Sequence, residues 1–283
     1  MSRETDTAIL TNASRAPSHR AAKVGPVPYR GGSFARRAMP AWLPWLVFAS
    51  LIALWEVGSR SGVISSIVLP APSEAAGALG DLVETGMIWR HLGASLQRLA
   101  MGWSCGTLAG VALGLLIGLV PAARAVFGPL VSALFPVPKI ALLPLFVIWF
   151  GIGEGSKVAT IFFGVLFPTV IATYGGVDGV DRTLIRMGQS FGLSRASMVR
   201  KIVLPGALPA ILSGMRISVA IAIILLVAAE MIGAEHGIGA YILLAGALFA
   251  TDQLIAGVAM LSALGLLAGW MLGRLEALLL RWR

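Results

Sequence analysis

Hydrophobic positions along this chain gather into long uninterrupted stretches, separated by short polar or charged connections. Six stretches approach the roughly 20 residues that cross a bilayer as a helix: 41–57, 99–120, 126–150, 158–176, 207–229 and 254–273. The second runs 22 residues without a charge, and the third runs 25 residues with Lys139 and several prolines inside it. A seventh apolar stretch, 237–250, has only 14 residues and predicts a re-entrant or interfacial helix. The first stretch carries Trp42, Trp45 and Trp55 and lacks a small-residue cleavage site, so it predicts a retained helix rather than a signal peptide. The pattern predicts an all-α polytopic membrane protein of about six transmembrane helices.

Composition agrees. The chain has 283 residues, 57% hydrophobic and 12% charged, against about 25% charge in an average soluble domain. Its mean hydropathy is +0.87. A soluble enzyme is excluded on these grounds. The net charge of +9 is read first as a topology signal rather than as a nucleic-acid footprint. With the N-terminus placed in the cytoplasm and the spans alternating, 17 of the 22 Lys and Arg residues fall on the cytoplasmic side. The acids Glu56, Glu74, Asp81, Glu84, Glu154, Glu235 and Asp252 fall outside. Both termini are therefore expected in the cytoplasm. Residues 1–40, rich in Arg, Ser, Ala and Pro, read as a flexible cytoplasmic tail. Residues 41–283 form the transmembrane domain, with a long basic cytoplasmic loop at 177–206.

Candidate chemistry is sparse. Cys105 is the single cysteine, and His19, His91 and His236 are scattered, so no metal site is expected. The glycine-rich run 151–157 ends Gly-Ser-Lys-Val rather than Gly-Lys-Ser/Thr and lies on the outer side by charge, so it is no phosphate loop. No helical His-Glu-x-x-His and no nucleophile elbow occurs, and nothing in the chain is expected to bind ATP, another cofactor or a metal. Gly102, Gly106, Gly110, Gly114 and Gly118 recur every four residues and predict a groove for close helix approach, or for sliding during gating; Gly265, Gly269 and Gly273 repeat the spacing. Pro129, Pro136, Pro138 and Pro144 interrupt the third span, as in a packing kink or the broken helix of a transport site. Lys139 follows Pro138 near the middle of that span by count. It is expected either to attract an anion along the pathway with Trp149 and Glu230, to pair with Glu230, or to sit at the cytoplasmic surface.

The basic loop reads as a short helix over 183–191, a break at Gly192, and a second helix over 195–203 capped by Ser194 and ended by Pro205. Its second half, Gly192, nine residues, then Ile202-x-Leu204-Pro205, resembles the EAA loop of ABC importer permeases, although Arg186-Met187-Gly188 stands where Glu-Ala-Ala is expected. Further segments resemble the nitrate/sulfonate/taurine branch: Leu69-Pro-Ala-Pro-Ser73, His91-Leu-Gly-Ala-Ser-Leu-Gln-Arg98, Pro138-Lys-Ile-Ala-Leu-Leu-Pro144 with Trp149-Phe-Gly, and Ala229-Glu-Met231 with Gly237-Ile-Gly239.

The resemblance implies a type I ABC importer transmembrane domain in a bacterial inner membrane. It implies a homodimer of this chain, two cytosolic ATPase subunits that carry ATP and Mg, and a periplasmic or lipid-anchored binding protein. The cargo would be a small anion such as an aliphatic sulfonate, taurine or nitrate. It assigns ATPase coupling to Arg186, Gly188, Gly192, Ser194, Arg195, Ile202, Leu204 and Pro205. Two other classes compete. An ion-coupled secondary transporter needs acids within the membrane, where the chain offers Glu56 and Glu230. A membrane-embedded enzyme needs a catalytic constellation, and none is written in the chain.

Overall fold

The computed structural model describes residues 42–282; the expected tail at 1–40 and Ala41 lie outside them. The chain divides into two units, 1–48 and 49–283. In the first, only the opening turns of α1 (Leu43–Arg60) are described.

The second unit begins in the same helix, whose later turns are tied down by the Leu69-Pro-Ala-Pro-Ser73 segment. Trp55 Nε1 donates to the Pro70 carbonyl at 2.9 Å, and Ser73 donates to Glu56 through both backbone N–H and hydroxyl. Helices α2 (Pro72–Glu84) and α3 (Met87–Leu119) follow, then α4 (Pro121–Leu134), a 3₁₀ turn at Lys139–Leu142 and α5 (Leu143–Phe150). Next come α6 (Glu154–Asp178), the short α7 (Arg182–Ser190) and α8 (Arg195–Met198), a π turn at Val199–Val203, and α9 (Leu204–Glu230). The short α10 (Ile238–Ala247) and α11 (Thr251–Leu279) close the chain.

Among the described residues, four helical bodies are long and apolar enough to cross a membrane: α3, α6, the continuous run Arg195–Glu230, and α11. A fifth appears if α4 and the 139–150 segment count as one span, but they meet at 90°. The expected span at 126–150 is thus broken at its prolines, with a far sharper bend than a packing kink. Pro138, which lacks a backbone N–H, adopts φ −65° and ψ 108°, an extended conformation that ends one helix before the next begins. The expected first span corresponds to α1, whose 18 residues end in Glu56-Val-Gly-Ser-Arg60 and fall outside the four. The 14-residue apolar stretch contains α10, too short to span at 10 residues.

A three-helix core of α3, α6 and α9 organises the rest. The α3–α6 seam is built on the glycine ladder. A Cβ at Gly102 would meet Ile161, at Gly106 Phe162 and Val165, at Gly110 Thr169, at Gly114 Thr173 and at Gly118 Val177, in every case within 3 Å of an atom of α6. Water does not drive helices together in a bilayer, so such close van der Waals contact is what holds the pair. By contrast, Gly265, Gly269 and Gly273 of α11 have open space or only distant neighbours at the same test. Spacing alone did not separate a packed stripe from an open one. Ile161, Val165, Ala222 and Leu226 fill the centre of the core.

Pro205 does not end the coupling-loop helix as expected. The chain continues helically from Arg195 to Glu230. The π turn immediately before Pro205 widens the backbone by one residue there, relieving the clash a proline ring makes with the preceding turn.

Candidate functional site

At the end of the core where α3 and α6 begin and α9 stops, a buried polar cluster joins three helices and the loop before α10. Arg98 of α3 is 4% exposed and Glu230 of α9 is 1% exposed. Arg98 grips Glu154 of α6 in a bidentate pair, Nε to Oε2 at 2.6 Å and Nη2 to Oε1 at 2.7 Å. Its Nη1 donates to Glu230 Oε1 at 2.8 Å and to the His236 carbonyl at 2.7 Å. Ser95 Oγ donates to Glu230 Oε1 at 2.7 Å and accepts from the Ile238 N–H at 2.8 Å. The Gly239 N–H donates to Glu230 Oε2 at 2.8 Å. Glu230 thus accepts three hydrogen bonds, and every guanidinium nitrogen of Arg98 has a partner. A buried ion pair persists in a low-dielectric interior only when its remaining positions are satisfied in this way.

This cluster explains two sequence motifs at once. Gly237 has φ +145°, and a Cβ there would fall 2.5 Å from Glu230 Cδ and 2.7 Å from Arg98 Nη1. A Cβ at Gly239 would fall 2.7 Å from the Val227 carbonyl. The Gly-Ile-Gly segment is therefore glycine because its backbone lies directly on the Arg98–Glu230 pair. His91 Nδ1 lies 3.0 Å from the Gly237 carbonyl, and its ring sits 5.9 Å from that of His236. These two histidines, distant in sequence, are neighbours in space, yet among the described residues no group is arranged to hold a metal ion. His19 lies outside the described residues. Sequence reasoning quoted Arg98 only as the end of a motif and missed it as a site residue. The available signal was an arginine directly preceding 22 uncharged residues.

Lys139 answers to different partners than expected. Its ammonium donates to the carbonyls of Leu134, Phe135 and Val137 at 2.7–2.8 Å and lies 4.7 Å above the Phe167 ring. All three N–H bonds are used on the frayed end of α4, whose last carbonyls carry the negative pole of that helix. Glu230 pairs with Arg98, so the expected Lys139–Glu230 pair does not form. A cavity of about 330 Å³ lies beside the bend, lined by Pro138, Lys139, Gly164 and Leu225 among others. Trp149 packs on Phe146 and is otherwise exposed. The four residues expected along the pathway are thus distributed over three places: the bend, an exposed face of α5 and the buried cluster.

At the opposite end, α7 and α8 form a compact hairpin. Asp181 caps α7 by accepting from the Thr183 N–H at 2.7 Å, a bond that holds its carboxyl below the usual range. Ser194 caps α8 by accepting from the Ser197 N–H. Between them Gly192 takes φ +71°, the left-handed turn that glycine adopts without steric cost. Gly188 is buried, and a Cβ there would fall 2.8 Å from Ile202. Glycine at this position lets α7 close onto the helix that carries Ile202 and Leu204. Arg186 and Arg195 are exposed, and Phe191 at the tip is 78% exposed. The hairpin brings six of the eight coupling candidates into one projecting unit, with Leu204 and Pro205 at its root.

Comparison with known proteins identifies this assembly of parts. The model of the family described as "Binding-protein-dependent transport system inner membrane component" matches residues 106–281, more than half of the chain. The chain belongs to this family. It is the permease subunit of an ABC importer, a multi-pass membrane protein. This permease is 37% identical over 241 residues to the taurine transport system permease protein TauC of Escherichia coli strain K12, covering 83% of this chain and 87% of TauC. It is 35% identical over 243 residues to the putative aliphatic sulfonates transport permease protein SsuC of Bacillus subtilis strain 168, covering 86% and 88%. An inward-facing structure of the MetNI methionine ABC transporter superposes with a TM-score of 0.58, at 20% identity, over 68% of this chain and 96% of that chain. The permease therefore shares the type I importer fold.

Proposed function

We propose that this permease forms the membrane path of an importer for small organosulfonates such as taurine. The observation that carries the proposal is the 37% identity to a taurine permease across most of both chains. Two copies of the permease enclose the path. Two cytosolic ATPase subunits bind ATP and Mg, and the permease itself makes and breaks no bonds. A binding protein delivers the sulfonate at the end marked by the Arg98 cluster.

The charge bias supports the sidedness. With 17 of 22 basic residues and both termini in the cytoplasm, the α7–α8 hairpin faces the ATPase subunits. Its exposed Phe191, Met187 and Leu184 offer the apolar contact, and Arg186 and Arg195 the charge, that seat it in a cleft. Nucleotide then biases a two-state equilibrium between inward-open and outward-open forms. The engagement of Glu230 by Arg98, Ser95 and the Gly239 N–H speaks against the ion-coupled alternative, since an ion there would have to displace the guanidinium that already neutralises it.

Lys139 contributes a positive charge beside the cavity at the bend while holding the end of α4. Its role in the pathway is part of the same proposal.

Reconstitution tests the whole reading. The permease, its ATPase and its binding protein in proteoliposomes should take up labelled taurine only when ATP is inside and binding protein outside. Uptake that persists without ATP and follows a proton or sodium gradient would overturn it. For sidedness, a cysteine at position 195 in a Cys105→Ser chain should resist impermeant thiol reagents in intact cells and react after lysis.

A further inference from the structure

We propose that the groove between α3 and α11 is a binding site for an anionic phospholipid. Helix α11 packs chiefly on α10, α2 and α9, while α3 packs chiefly on α6 and α9. α9 therefore floors a gap between the other two. Two hollows run one after the other along it and share Leu275 as a wall. One of about 520 Å³ is lined by Leu99, Trp103, Val219 and Leu275. The next, of about 730 Å³, is lined by Leu108, Val111, Met215 and Leu275. This surface is hydrocarbon along its length, which suits an acyl chain.

Charge selects the occupant. Arg274 lines the first hollow and Arg200 the second. Arg274 stacks 5.1 Å from the Trp270 ring, and among the described residues neither arginine forms an ion pair. Their neighbour Arg216 is already paired with Glu276. An unpaired guanidinium in each hollow of an otherwise apolar groove calls for an anionic headgroup on a long hydrocarbon tail. A second copy of this chain lacks the complementary charge. Among the described residues its carboxylates at this level are engaged, Asp178 with Arg124, Glu276 with Arg216, and Asp181 as a helix cap. The tail at 1–40 carries seven Lys and Arg residues against two acids, so it would be repelled.

Native mass spectrometry of the full-length permease tests this, with phosphatidylglycerol or phosphatidylcholine added during purification. The expected result is one retained phosphatidylglycerol per chain. Arg200→Gln with Arg274→Gln should weaken its retention by about tenfold or more, and phosphatidylcholine should be held weakly by both proteins. Leu108→Trp fills the groove without touching its charge and should also expel the lipid, which covers the case of a double variant that does not fold. Equal retention of the two lipids, or retention unchanged in these variants, would overturn the site. So would disulfide cross-linking between two copies through cysteines placed at Leu108 and Leu275, which would make the groove an interface between permeases.

Discussion

Where α3 begins, Arg98, Glu154, Glu230 and Ser95 use their hydrogen-bonding capacity on one another and on the 236–239 backbone. Where α3 stops, Arg182, Arg186, Arg195 and Arg200 face no carboxylate among the described residues. The same three core helices pass through both ends. One end is satisfied within the chain: Arg98 and Glu230 are buried and would be costly to separate, while Glu154 grips Arg98 from the exposed side. The other leaves these four arginines and Phe191 open beside the Arg124–Asp178 and Arg216–Glu276 pairs, so they are available to a partner. Polar residues inside a membrane protein carry different meanings according to whether their partners lie in the same chain.

The sharpest way to break this contrast is Arg98→Met. It strands Glu230 as an uncompensated buried charge and should destabilise the permease by about 3–5 kcal/mol. The measurement is thermal unfolding in detergent, and adding Glu230→Gln should recover part of the loss. An unchanged midpoint for Arg98→Met alone would mean that the cluster is not closed. Gly110→Leu comes next. It drives a side chain into Thr169 and the Leu166 carbonyl and should cost about 1–3 kcal/mol. The companion Gly269→Leu on α11, with nothing within 4 Å, should stay within about 0.5 kcal/mol. Equal losses from the two would erase the distinction between packed and open glycine stripes.

At the open end the effect on stability shrinks while the effect on assembly grows. Gly192→Asp has open space around it and a side chain that tolerates positive φ, so insertion and folding should be near normal. ATPase association and uptake should be lost, and co-purification with the ATPase at the parent level would refute the assignment of this turn to coupling. Smallest of all is Asp181→Ala. The native carboxyl is held below the usual range by the Thr183 N–H, so its contribution is complete above the unfolded value near 3.9 and vanishes as pH falls through the lower folded value. Hydrogen exchange of α7 should be faster in the variant at neutral pH, and the difference should close in acid.

The chain announced its architecture through uncharged stretches, and the helices enclose those at 158–176, 207–229 and 254–273 and all but the last residue of 99–120. Their true ends lay hidden. α3 starts at Met87, well before the apolar stretch, because His91, Ser95 and Arg98 find partners across the bundle rather than in solvent. Hydropathy registers the hydrocarbon and overlooks polar turns that tertiary contacts satisfy. The hairpin around Gly192 was legible because caps and turn residues act locally. The Arg98–Glu230 pair was not, since it joins positions 132 apart and only packing brings them together. The 90° bend before Lys139 was half legible. Prolines marked a break, but its angle depends on what α6 offers on the far side.

The π turn at 199–203 has a mechanical consequence. By absorbing Pro205 without a break, it fuses the tip of the hairpin to the transmembrane rod. The body from Arg195 to Glu230 has 36 residues and is about 54 Å long at 1.5 Å per residue. A rod of this length has little compliance along its axis. It is a crank with Ser194 at the handle and Glu230 at the shaft, and torque applied at either end is felt at the other. In the proposed importer, a displacement of the hairpin would be carried along this one helix to Glu230 and the buried cluster it shares with Arg98.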